Sequence, residues 1–215
     1  MKGNVLFYQG RRKVGNVVGY TRGGQQLFRA YQPIVDNPKT TKQMLQRAKI
    51  ALLSSTGKAM ASIVNFGFKG ISDTLHSPRN IFAKKNYGTI TGQNPLALTI
   101  DYERMVVADG GLYNAQYNAP SFSEARTVEV AFTWQPDEQF LIARDCPVLV
   151  AYCPEMNRCV IGDLAANMED ESASVVCPAE WQGLKVYVWA FTYRSTESGY
   201  LRTSPSVYLG FGNIS

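Results

Sequence analysis

The sequence contains a single histidine, His76, and none of the short motifs that mark common active sites. A triad of nucleophile, base and orienting group normally uses histidine as the base, so serine- or cysteine-hydrolase chemistry is not expected. The phosphate-loop pattern G-x-x-x-x-G-K-[ST], the dinucleotide pattern G-x-G-x-x-G and the hydrolase pattern G-x-S-x-G are all absent. We therefore expect no enzymatic activity and no cofactor.

Long apolar segments are also missing. No segment approaches the roughly 18 apolar residues of a membrane span. The first residues, Met1 to Tyr8, contain no apolar run long enough for a signal-peptide core. We expect a chain that is made in the cytosol without a signal peptide and that does not enter a membrane.

Metal-binding patterns are absent as well. The four cysteines are spaced C-x6-C-x5-C-x17-C, without the C-x2-C pairs of structural zinc sites. The contiguous acids Glu169-Asp170-Glu171 and nearby Asp163 are more typical of a solvated hairpin tip than of a calcium loop. We expect no metal and free thiols. A bridge between Cys153 and Cys159 is the alternative if the protein ends up outside the cell.

Acidic residues are almost absent from the first part of the chain. Residues 1–88 hold 15 Lys and Arg against Asp36 and Asp73, a net charge of +13, whereas residues 89–215 have a net charge of −8. This segregation predicts that the basic part faces nucleic acid, a partner surface or the acidic part of a neighbouring copy. The alternative is that the basic part is only a solvated surface.

Turn and cap signals divide the N-terminal region into a hairpin and two helices. Residues 14–22 and 25–31 are β-prone runs joined by Gly23-Gly24, which predicts a hairpin. Gly15 and Gly19 then fall inside its first strand, where glycine indicates a bulge or a closely passing backbone.

Helical signals follow the hairpin. A turn and cap at residues 37–41 precede apolar or small residues at three- to four-residue intervals, which predicts an amphipathic helix to about Val64, bent at Gly57. Ser77 and Pro78 begin a second, short helix. The predicted inner face of the first helix consists of Leu45, Ala48, Leu52, Ser55 and Ala59.

From about residue 96 the apolar pattern changes to a period of two. Alternation is clear in residues 127–134, and in residues 184–193 both faces are apolar or aromatic, so both are expected to be covered. The predicted class is α+β, with a basic docking region at 1–95 and an antiparallel immunoglobulin-like β-sandwich at 96–215. The predicted strands are 97–101, 104–108, 127–134, 139–143, 147–153, 158–162, 172–177, 184–193 and 200–209.

The basic segment is the strongest candidate for a binding site. Its lysines and arginines are interleaved with aromatic rings, a mixture that serves both nucleic-acid surfaces and protein interfaces. The candidate binding residues are Arg11, Arg12, Lys13, Arg22, Arg29, Lys39, Lys42, Arg47 and Lys49.

Several motifs along the chain form a recognisable set. The N-terminal signature is Lys13-Val14-Gly15-Asn16-Val17-Val18-Gly19, followed by Arg29-Ala30-Tyr31-Gln32-Pro33 and Gln46-Arg47-Ala48-Lys49. Later motifs include Pro178-Ala179-Glu180-Trp181 and Ser204-Pro205-Ser206-Val207-Tyr208. As a set these motifs resemble a family of uncharacterised proteins found in Bacteroidota and their phages. The resemblance spans nearly the whole chain and implies no catalytic residue, and the cysteines are not part of its pattern. The C-terminal half also resembles fibronectin type III and immunoglobulin domains at the level of fold.

These observations together favour a structural protein of a bacteriophage particle. We expect a neck, tail or ring protein or a capsid decoration, made in the bacterial host cytoplasm and located in the virion. Its expected partners are other virion proteins and neighbouring copies of itself in a homo-oligomer. The alternative function is intracellular nucleic-acid binding through residues 11–58.

Overall fold

The computed structural model is α+β, as predicted, with a small N-terminal sheet and three helices followed by two larger antiparallel sheets. It describes residues 13–34, 37–73, 75–123, 125–134, 145–162, 171–195 and 201–215.

The N-terminal sheet is a three-stranded antiparallel meander of β1 (Lys13–Val14), β2 (Val17–Arg22) and β3 (Gln25–Ala30). The predicted turn at Gly23-Gly24 is confirmed, with φ of +57° and +78°. The placement of Gly15 inside a strand is wrong. Gly15 lies in the turn between β1 and β2 with φ +57°, a conformation that glycine adopts without steric cost.

The β2–β3 turn touches the segment that precedes the last helix. A Cβ atom placed on Gly23 would overlap the side chain of Leu75, whereas a Cβ on Gly24 would meet nothing within 4 Å. Leu75 therefore fixes this end of the meander against the rest of the chain.

We expect Gly23→Ala to loosen the meander more than Gly24→Ala. Both glycines have positive φ, so alanine costs about 1–2 kcal/mol at either position, but only at Gly23 does the new methyl group also displace Leu75. Amide hydrogen exchange across residues 17–30 measures the difference. Adding Leu75→Ala to Gly23→Ala should bring exchange back to the Gly24→Ala level; equal exchange in the two single variants would contradict the contact.

Three helices follow the meander: α1 (Thr41–Ala59), α2 (Ala61–Gly67) and α3 (Pro78–Asn86), with 3-10 turns at Lys69–Ile71 and Tyr87–Thr89. The predicted caps are present, because Thr40 accepts a hydrogen bond from the Gln43 amide and Ser77 accepts one from the Asn80 amide, each at 3.3 Å. None of the described helices is long and apolar enough to cross a membrane.

Gly57 brings helices together and does not bend α1. It lies inside α1 and is buried, and a Cβ on it would be 3.1 Å from the ring of Phe82 on α3. The interruption occurs at Met60, whose φ of −96° and ψ of 22° separate α1 from α2.

The buried face of α1 differs from the predicted one, since Leu53 and Thr56 are more deeply buried than Leu52 and Ser55.

The remaining strands form two larger sheets and one isolated pair. The pair is β4 (Ile90–Thr91) with β5 (Thr99–Ile100). In one of the two larger sheets, β8 (Thr127–Thr133) lies between β11 (Ser172–Val176) on one side and β6 (Gln116–Tyr117) and β7 (Ser121–Phe122) on the other. The other larger sheet has the strand order β10 (Arg158–Ile161), β9 (Cys146–Cys153), β12 (Lys185–Ser195). Its last two strands, β13 (Leu201–Thr203) and β14 (Val207–Asn213), both pair with β12.

Two strand predictions need correction and one cannot be compared. Residues 104–108 form no strand, because the side chain of Asn86 bonds both the amide and the carbonyl of Val106, at 2.8 Å each, in place of a neighbouring strand. The predicted strand 200–209 is interrupted at residues 204–206, where Pro205 supplies no amide proton. The predicted strand 139–143 lies outside the described residues.

The sheet containing β9 and β12 is the middle of three layers. On one face Val150, Trp189 and Phe191 form a core with Leu53 and Phe82 from the helices. This core joins residues from both sides of the predicted domain boundary at residue 95, and that boundary stays a prediction.

The opposite face of the same sheet packs on the second large sheet. Leu149 and Val188 share a buried cluster there with Val128, Val130 and Val175. Coverage on both faces explains why residues 184–193 are apolar on both sides. The finer assignment to an immunoglobulin or fibronectin type III sandwich stays a prediction.

The four cysteines all lie within the described residues, and none of them forms a disulfide. The proposed Cys153–Cys159 bridge is wrong, because Cys153 belongs to the core between the two sheets whereas Cys159 packs against the core beneath the helices. In the strand pairing Cys159 lies opposite Tyr152 and Cys153 lies opposite Arg158, so the two sulfur atoms are on different faces. Burial raises the pKa of Cys177 to about 11, which leaves its thiol protonated at neutral pH.

Candidate partner-binding face

The strand register brings three of the predicted cations onto one face of the meander. Val18 of β2 lies opposite Lys13 of β1 on one side and opposite Arg29 of β3 on the other, so these side chains form one row across the sheet. Arg22 is four residues beyond Val18 on β2 and therefore lies on the same face. All three cations are exposed.

Two tyrosine rings accompany these cations. Tyr20 lies between Val18 and Arg22 in the alternation of β2 and is partly exposed. Tyr31 is 39% exposed, and the Lys13 Nζ atom lies 3.5 Å from the centre of its ring, a cation–π contact. The name "basic face" is used below for Lys13, Tyr20, Arg22, Arg29 and Tyr31.

The meander contributes to neither of the two buried clusters described above. Its other face carries Val14 and Val17, each 38% exposed. The basic face is therefore presented on a small sheet that lies outside both buried clusters and contacts Leu75 at its Gly23 turn.

The predicted cations near α1 do not form one site. Lys42 and Lys49 share a helix face, and the Lys49 Nζ atom lies 5.8 Å from the centre of the Tyr87 ring. Arg47 points elsewhere and donates to the Asn37 side-chain oxygen, and Lys39 precedes the helix. Arg11 and Arg12 lie outside the described residues.

The charge of these cations is not neutralised by carboxylates of the described chain. The described ion pairs are His76–Asp73, Lys85–Asp109, Arg158–Glu180 and Arg194–Asp145. None of them involves a described member of the candidate set, which comprises Lys13, Arg22, Arg29, Lys39, Lys42, Arg47 and Lys49. A surface of this kind attracts an acidic partner.

A groove beside α3 was missed by reasoning from the sequence. Its volume is about 420 Å³, and it is lined by Ile71, His76, Asn80, Ile81, Lys84 and Lys85. Lys84 is exposed, whereas Lys85 pairs with Asp109. The pair Lys84-Lys85 was visible in the sequence, but its position beside a groove depends on how α3 packs.

His76 lies in this groove with a structural partner. Its Nδ1 atom is 3.1 Å from both carboxylate oxygens of Asp73, and the same carboxylate accepts hydrogen bonds from the amides of Leu75 (2.7 Å) and His76 (2.5 Å). The pKa of Asp73 is lowered, mainly because its carboxylate is hydrogen-bonded to the His76 side chain. Within the described residues, no hydroxyl or thiol group is hydrogen-bonded to the His76 ring.

The carboxylates considered for metal binding give no site in the described part of the chain. Among those residues, no three His, Cys, Asp or Glu side chains are grouped in a way that would hold an ion. Asp163, Glu169 and Asp170 lie outside the described residues.

Comparison with known proteins places the chain in a family without assigning an activity. No curated protein matches the sequence. The model of DUF6266, described as a family of unknown function, matches residues 8–210, a span that includes the meander, the helices and both large sheets except the last residues of β14. The chain therefore belongs to the family of unknown function DUF6266.

Proposed function

We propose that this chain is a non-enzymatic assembly protein that binds an acidic protein surface through the basic face. The observation that carries the proposal is the row formed by Lys13, Val18 and Arg29, with Arg22 on the same face and no carboxylate paired with these cations within the described chain. Arginine and tyrosine together are enriched at the centres of protein interfaces.

The position of the meander supports docking over a merely solvated surface. A solvated cationic surface needs no fixed geometry, but here the strand register places three cations on one sheet face and Lys13 lies over the Tyr31 ring. Because the meander lies outside both cores, a partner can bind it without disturbing the body of the protein. Complementary charge would set the register of such a contact more than its affinity.

The proposed setting is the particle of a bacteriophage that infects Bacteroidota. In this setting the chain is a neck, tail or ring protein or a capsid decoration, located in the virion and contacting other virion proteins and copies of itself. The support is the likeness of the motifs around Lys13, Arg29 and Gln46 to phage-associated proteins.

Quantitative mass spectrometry of gradient-purified particles tests this setting. The proposal predicts that the chain copurifies with the particles at a fixed ratio to the major capsid protein. Recovery only in the soluble fraction of lysed cells would contradict it.

Nucleic-acid binding through residues 11–58 is the second candidate. The observation that favours it is the alternation of cations with Tyr20 and Tyr31 on one sheet face, an arrangement that neutralises phosphates and stacks bases. Affinity for single- and double-stranded DNA, measured at about 0.05 and about 0.2 M salt, separates the candidates, since phosphate contacts weaken steeply with salt. Binding with a steep salt slope would replace the assembly proposal, whereas no binding removes this candidate.

A further inference from the structure

A cluster of partly exposed aromatic rings lies on the helix-side face of the middle sheet. Tyr187 of β12 is at its centre, with ring centroids 4.5 Å from Tyr102, 5.8 Å from Phe211 and 6.5 Å from Tyr208. Phe211 is 50% exposed, and the other three rings are partly exposed. These four residues are named the ring surface.

The ring surface is fixed in place by its neighbours. Tyr187 and Phe211 lie directly opposite each other in the pairing of β12 with β14. The turn that carries Tyr102 is held at both ends, because the Asp101 amide donates to the Thr89 carbonyl at 2.8 Å and the Trp189 Nε1 donates to the Met105 carbonyl at 3.1 Å. The rings are therefore preorganised.

The surface already holds one cation. The Lys185 Nζ atom lies 3.6 Å from the centre of the Phe211 ring and 5.0 Å from the centre of the Tyr187 ring. Such contacts arise because the faces of aromatic rings attract positive charge. The chemistry of the surface is thus suited to Lys and Arg side chains.

Two carboxylates border the rings. Asp101 and Glu103 flank Tyr102 in sequence, and neither takes part in an ion pair of the described chain. The pKa of Tyr208 is raised to about 12, mainly because the hydroxyl is buried and secondly because Glu103 is negatively charged. Arg104 is exposed in the same turn. The rings and the carboxylates favour the same kind of ligand, a positively charged side chain.

We propose that the ring surface, with Asp101 and Glu103, receives the basic face of a second copy of this chain. The inference rests on the proposed function, since it names the acidic surface on which the basic face docks. Lys13, Arg22 and Arg29 would pair with the carboxylates and lie over the rings, as Lys185 does within its own chain.

A second copy is the occupant favoured by charge. The residues up to 88 carry +13 and the residues after it carry −8, so each copy offers both a donor and an acceptor of charge. Because the two surfaces differ, the contact is heterologous and repeats into a closed ring or a filament.

Sedimentation velocity across a concentration series tests the inference with two charge-reversed variants and their mixture. The wild-type chain is expected to self-associate at about 0.05 M salt and to dissociate at about 0.5 M. Arg22→Glu with Arg29→Glu reverses the basic face, and Asp101→Lys with Glu103→Lys reverses the acceptor. Each double variant alone is expected to associate at least about tenfold more weakly, because like charges then face each other.

Mixing the two double variants is expected to restore association. In the mixture, the reversed basic face of one variant meets the reversed acceptor of the other, and the two unchanged surfaces also meet, so both contacts join opposite charges. The matched control for the acceptor variant is Glu129→Lys with Glu155→Lys, which makes the same charge change at exposed positions away from the rings. The control should associate like the wild type, and thermal melts establish that all variants fold.

A monomer at every concentration, or an acceptor variant that associates like the wild type, would overturn the inference. The proposed function would fail separately, by loss of the chain from purified particles. If the chain copurifies with particles but does not self-associate, only the identity of the acceptor is refuted.

Discussion

Replacing Trp189 with alanine is expected to lower the free energy of unfolding by about 3–5 kcal/mol. Trp189 is fully buried at the centre of the middle sheet, where it faces the core beneath the helices. Its removal leaves a cavity and also an unpaired carbonyl at Met105. Urea denaturation followed by far-ultraviolet circular dichroism measures the change.

Trp189→Phe is the matched control for this experiment. Phenylalanine keeps most of the apolar contact but cannot donate to the Met105 carbonyl, so its cost should be smaller, about 1–3 kcal/mol. If Trp189→Ala were within about 1 kcal/mol of the wild type, the packing of the helices on the β9–β12 sheet would be contradicted.

Reversing the basic face is expected to reduce recovery of the chain in purified particles at least about tenfold, because the proposed acidic acceptor would then repel it. The variant is Arg22→Glu with Arg29→Glu, expressed in place of the wild-type chain during particle assembly. Both side chains are exposed, so the fold should be retained. Targeted mass spectrometry of the particles gives the ratio of this chain to the major capsid protein.

The control for net charge is Lys58→Glu with Lys69→Glu. Both lysines are exposed and lie outside the basic face, so this variant makes the same change in charge at a different place. Recovery of the control should match the wild type. Equal losses in both variants would mean that overall charge, and not the basic face, governs assembly.

Local signals in the sequence predicted the elements that depend on local chemistry. The Gly23-Gly24 turn, the caps at Thr40 and Ser77 and the alternation in residues 127–134 each depend on neighbouring residues alone, and each is present. The prediction of a strand at residues 104–108 was wrong because the backbone of Val106 is hydrogen-bonded to the side chain of Asn86. Local alternation of apolar residues cannot reveal such a partner.

Features that depend on tertiary packing were not predictable in the same way. Gly57 was interpreted as a weak point of a helix, yet the ring of Phe82, which lies far along the chain, occupies the space that a side chain there would need. The ring surface likewise joins Tyr102 to Tyr187 and Tyr208 across a sheet whose strand order was unknown.

The candidate site was predicted as a set of residues but not as a geometry. Nine cations were named together, whereas in the described chain Lys13, Arg22 and Arg29 share a face of the meander and Lys42 and Lys49 share a separate face of α1. The missing information was the turn at Gly15-Asn16. Once that turn is placed, Lys13 must lie opposite Val18 and therefore beside Arg29.

Photo-crosslinking from the centre of the basic face tests the central claim most directly. Tyr20 is replaced with p-benzoylphenylalanine, the assembled material is irradiated, and the crosslinked peptides are identified by mass spectrometry. Docking on an acidic protein surface predicts crosslinks to peptides of another molecule that carry exposed carboxylates, with residues 101–103 of a neighbouring copy expected first. Crosslinks to nucleic acid, or none in fully assembled material, would contradict it.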